Sequence, residues 1–74
     1  PPGNPEDRED TERLSGLRLA LARAALALGQ PARARDEIAA IPGLWRTLGQ
    51  PLPEPLANDL RDLRARLGKS DDEG

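Results

Sequence analysis

Residues 14–41 read LSGLRLALARAALALGQPARARDEIAAI, and this stretch decides the fold. Leu14, Leu17, Leu21, Ala24/Ala25 and Leu28 recur at i, i+3, i+7, i+10/i+11 and i+14, the spacing of one helical face. The run stops at Gly29, a residue suited to a left-handed helix cap, and Pro31 suits the first position of a new helix. Gln30, standing before a proline, is biased out of the α region. A connection this short turns the second helix back antiparallel on the first. In that second helix Ala34, Ile38 and Ile41 are expected inward, with Arg33, Asp36 and Glu37 outward.

The first helix is apolar on a second side as well. Leu19, Ala22 and Leu26 form a narrower stripe roughly 120° further round, with Arg18 between the stripes and Arg23 on the far border. A helix with two apolar sides needs two neighbours, or one neighbour and one ligand. The Gly29–Pro31 hinge fixes where the second helix goes, and the Leu14–Leu28 face is assigned to it. The Leu19/Leu26 stripe is left for a third helix or a partner. Gly16 costs ~1 kcal/mol relative to Ala within a helix and marks a candidate close helix contact.

Toward the amino end, Asn4-Pro5-Glu6-Asp7 reads as a helix start with Asn4 as N-cap. The residues from Glu6 through Arg13 are almost all charged, so 1–10 form a charged extension that is only partly helical. Beyond Ile41, Pro42-Gly43 is expected to end the second helix. Leu44–Leu48 then makes one helical turn closed by Gly49, and Pro51 and Pro53 hold an extended crossing. Glu54 and Pro55 open a third helix with the stripe Leu56, Leu60, Leu63 and Leu67, capped by Gly68.

The prediction is therefore all-α: an antiparallel αα-hairpin plus a third helix, at about 5–28, 31–41 and 55–67. One domain spans 11–68, and 69–74 is a disordered acidic tail. Composition agrees. The large apolar set is thirteen Leu, two Ile and Trp45, without Val, Phe, Tyr or Met, which disfavours strands. So small an apolar set implies a thin stability margin and help from a neighbouring repeat, a second copy or a partner.

Leu21–Ile41 resembles the helix pair of the tetratricopeptide (TPR) repeat. That family closes its first helix with a Gly, places a small residue five positions later and a bulky apolar residue four further on. Gly29, Ala34 and Ile38 stand at those positions, and Leu21-Ala22 stands where the family has Leu-Gly. Arg18 and Ala25 replace the family's Trp and Tyr. A shift of 39 residues superposes Leu17, Leu21, Leu28 and Gly29 on Leu56, Leu60, Leu67 and Gly68. The third helix is thus either a terminal capping helix or one member of a plain three-helix bundle. The resemblance implies a concave protein-binding groove on the first helix at Leu19, Arg23 and Leu26. The Lys and Asn of chaperone-tail-binding members are missing, which argues against that ligand.

The function class expected is a protein–protein docking or assembly module. Its candidate contact residues are Leu19, Arg23, Leu26 and Trp45, and its partner is another protein or a further copy of itself. Trp45, the only aromatic residue, is either a lid packed on Ile41 and Leu48 or an exposed anchor.

The alternative is a small helical DNA-binding domain using Arg61, Arg64, Arg66 and Lys69 of the third helix. Asp59 and Asp62 interrupt that run, and Ile41-Pro42-Gly43-Leu44 lacks the second glycine of a helix-hairpin-helix turn. Charge also weighs against nucleic acid. Residues 8–69 hold eleven Lys/Arg and eight Asp/Glu, while acids dominate both ends of a chain of net charge −2.

Catalysis is not expected: there is no His, Cys or Tyr, and neither Ser15 nor Ser70 has a base in sequence reach. No metal site, cofactor or small-molecule substrate is expected either. The longest apolar run, Leu19–Leu28 broken by Arg23, is too short for a membrane span, and no signal-peptide pattern is present. No compartment follows, with the cytoplasm as default.

Overall fold

The computed structural model describes residues 5–73, with side-chain surroundings for 6–69. It is an αα-hairpin with a third helix: α1 (Pro5–Ala27), α2 (Pro31–Leu48) and α3 (Glu54–Glu73). Asn4, expected to cap α1, lies outside the described residues.

The hinge forms as its residues dictate. Gly29 has φ 75°, and Gln30 sits at φ −118°, ψ 71°, outside the α region. The Gly29 N–H donates to the Leu26 carbonyl (3.1 Å) and the Gln30 N–H to that of Ala25 (2.8 Å). These two bonds make a Schellman cap, which satisfies carbonyls that the helix end would leave orphaned. The second corner repeats the device. Gly49 (φ 77°) donates to Arg46 O at 3.0 Å, and Gln50 to Trp45 O at 3.1 Å.

Two boundaries differ from expectation. Pro42 does not end α2, which continues to Leu48 with Pro42 inside it. Proline removes one backbone donor and crowds the preceding turn, a cost of roughly 3 kcal/mol in a helix interior. Against this, Ala34, Ile38, Ile41, Trp45 and Leu48 form one unbroken buried stripe at i, i+4, i+7, i+11 and i+14. Only a continuous helix keeps Trp45 and Leu48 on the core side. At the other end α3 runs through Gly68 to Glu73, into the segment expected to be a disordered tail. Among the described residues only Gly29 and Gly49 have positive φ, so Gly68 does not act as a left-handed stop.

The largest correction concerns which face of α1 is inside. The core contains Leu19, Ala22 and Ala25 of α1, the α2 stripe, and Leu60, Leu63 and Leu67 of α3, with Leu26 and Leu56 packed against it. Leu14, Leu17, Leu21 and Leu28, assigned to the hairpin interface, are exposed. The reason is complementarity of volume. α2 brings Ile38, Ile41 and Trp45 to the core, and the face of α1 buried with them is mostly small, with Ser15, Ala22 and Ala25 beside Leu19. Two opposed leucine faces would hold the helices further apart, out of reach of the 2.9 Å bond between the Trp45 indole and Ser15. Gly16 is also not a contact point: a Cβ placed there meets nothing within 4 Å.

Candidate protein-docking face

The four residues expected to bind a partner divide between core and surface. Leu19 is 7% exposed and Trp45 is 1% exposed. Leu26 is half-buried against the core. Of the four, Arg23 alone is exposed, its guanidinium 3.9 Å from the Asp59 carboxylate of α3. That ion pair and a groove lined by Leu19, Leu56 and Asp59 lie where α3 meets the margin of the second stripe. Leu19 and Ala22 belong to the core shared with α2 and α3, and Leu26 packs half-buried against it, so this stripe is mainly interior surface.

Trp45 is held by more than packing. Its indole N–H donates to Ser15 Oγ at 2.9 Å, and the Ser15 hydroxyl donates to the Thr11 carbonyl at 2.7 Å. Ser15 is itself 1% exposed, the one buried polar side chain among the described residues. An indole and a hydroxyl so deeply placed require partners, and each supplies one to the other. Sequence reading missed this role. The available signal was the position of Ser15 on the same face as Ala22 and Leu19.

What the fold leaves outside is the other face of α1. Leu14, Leu17, Leu21 and Leu28 are 47, 57, 39 and 73% exposed, and Ala20, Ala24 and Ala27 between them are exposed too. On a 100° wheel these seven occupy one sector roughly 140° wide, centred nearly opposite Ala22. No charged residue interrupts the sector from Leu14 to Leu28. Arg13 precedes it, paired with Asp10 at 3.4 Å. Arg18 flanks it, paired with Glu37 of α2 at 3.4 Å. Scattered surface leucines are ordinary, whereas four on one helical face with alanines between them form a contiguous patch of the kind that marks an interaction site.

The remaining surface is less specific. Among the described residues, shallow grooves of about 350, 330 and 320 Å³ lie along the helix junctions. On α3, Arg61, Arg64, Arg66 and Lys69 are exposed, with Asp62 among them also exposed. No metal-holding cluster occurs among the described residues, and no helix among them is long and apolar enough to cross a membrane. No protein-family model matches this sequence, and neither curated proteins nor solved structures provide a significant match.

Proposed function

We propose that this domain is a protein-docking or assembly module whose contact surface is the leucine face of α1. The carrying observation is that Leu14, Leu17, Leu21 and Leu28 stand exposed on a helix whose other side already fills the core. The contact surface is thus moved from the Leu19/Leu26 stripe to the opposite side of the same helix. An amphipathic helix is the natural ligand, because leucines at i, i+3 and i+7 seat between the turns of another helix. The TPR-like reading of the hairpin belongs to this proposal. It is supported by the left-handed Gly29 and by the burial of Ala34 and Ile38 at the places that resemblance requires. The DNA-binding alternative has less support, since acids interleave the exposed α3 cations.

A photoreactive residue at Leu17 tests the proposal in extracts of the native cell. The expected result is a discrete cross-linked protein product, absent when the same group sits at Arg61 on α3. Equal or no products at the two positions would count against the docking face.

A further inference from the structure

We propose that the groove between α2 and α3 is a further docking site, and that its occupant is an acidic amphipathic helix of a partner protein. Arg35, Ile38 and Ala39 of α2 line this groove of about 350 Å³ together with Arg64, Leu67 and Gly68 of α3. The first half of α2 thus meets the second half of α3, so the two helices run antiparallel.

The sequence extends both rims along the helices. On α2, Arg35, Ala39, Pro42 and Arg46 fall at i, i+4, i+7 and i+11, one row of a helix. On α3, Ala57, Arg61, Arg64 and Gly68 repeat that spacing. Because Arg35, Ala39, Arg64 and Gly68 line the groove, these two rows are its rims. Each rim holds two arginines and two compact residues, which leave space for another backbone. A Cβ built on Gly68 meets nothing within 4 Å.

Charge selects the occupant. By the 100° rule Asp36 and Glu37 fall outside the α2 row, and Asp59 and Asp62 fall on the far side of α3. Glu54 and Asp71 stand only beyond the two ends of the α3 row. Arg8, Arg13, Arg18 and Arg23 of α1 each pair with an acid, whereas no acid among the described residues pairs with Arg46, Arg61 or Arg64. Cations gathered on two facing rims repel one another, and carboxylates laid between them relieve that repulsion. The floor decides which anion. Ile38, Ala39 and Leu67 are apolar, and a nucleic-acid backbone has nothing to set against them. A helix with an apolar face bordered by Glu or Asp matches the floor and both rims together.

This site lies apart from the leucine face of α1 and stands without it. The test probe is a fluorescein-labelled synthetic helix with leucine along one face and glutamate on both borders of that face. Titrated with the full chain at low salt, its anisotropy should report a dissociation constant on the order of micromolar, weakening as salt rises. Arg64→Glu should weaken binding by at least about tenfold, and so should Gly68→Leu, which adds bulk to the groove. The two variants are judged separately, each with its helicity checked by far-ultraviolet circular dichroism. Leu17→Glu, on the leucine face, should leave binding unchanged. Failure of the probe to bind overturns the proposal, as does equal binding when its glutamates are replaced by glutamine. Undiminished binding by a folded Arg64→Glu or Gly68→Leu protein also overturns it, as does tighter binding of duplex DNA than of the probe. Binding lost in Leu17→Glu but kept in Arg64→Glu would place the probe on the leucine face, refuting the groove and leaving that face standing. A photoprobe at Arg61 samples the groove, so any product formed there should differ from the product formed at Leu17.

Discussion

Ser15 is where a single atom matters most. Its hydroxyl is the partner of the buried Trp45 N–H at 2.9 Å, so Ser15→Ala leaves that donor unsatisfied inside the core. The expected loss is about 1–3 kcal/mol by denaturant unfolding. Thr at the same position should retain part of the bond while crowding the site. Wild-type Trp45 should emit well to the blue of free indole in water, and a maximum at the free-indole position would contradict its burial. Gly16 behaves in the opposite way. It sits inside α1 facing open space, so Gly16→Ala should stabilise by about 0.5–1 kcal/mol through backbone entropy alone. A destabilisation on the same denaturant curve would show that a neighbour does approach that position.

At the scale of the element, α1 carries two leucine sets with opposite energetics. Leu19→Ala removes a buried side chain and opens space in the core, which should cost about 2–4 kcal/mol. Leu17→Ala removes a side chain that is 57% exposed and should change the monomer's stability by under about 0.5 kcal/mol. Comparable losses at the two positions, measured by denaturant unfolding, would mean that α1 is rotated from the orientation described. α2 illustrates how tertiary burial overrides local propensity. Pro42-Gly43 is a strong break signal, but the core-side positions Trp45 and Leu48 are reached only if the helix continues through it. A pattern test extended past Ile41 would have found Trp45 and Leu48 in phase with Ala34, Ile38 and Ile41.

The whole molecule is elongated, 46 × 18 × 16 Å, with a radius of gyration of 13.2 Å. A spherical domain of this length would have about 11 Å. Such a shape gives a small core: α1 and α2 share the main contact and α3 rests on them more lightly. The surface ion pairs contribute about 0–1 kcal/mol each. The monomer should therefore melt below about 60 °C in dilute solution. Calorimetry checks this; a sharp, concentration-independent transition well above that temperature would contradict the thin core.

By itself the sequence determined the helical class, the hinge at Gly29–Pro31, the closure at Gly49 and the apolar stripes of α2 and α3. Each of these is set locally, by the conformational freedom of glycine, the fixed φ of proline and the 3.6-residue period. It also showed that α1 has two apolar sides. Which side faces inward was decided only in three dimensions, because periodicity locates a face but does not weigh how its volume fits the opposing helix. The indole of Trp45 and the branched Ile38 and Ile41 require a shallow, small-residue surface, and Ser15, Ala22 and Ala25 supply it. The larger leucine face was thereby turned to solvent, and the candidate site moved to the opposite side of the helix on which the sequence had placed it.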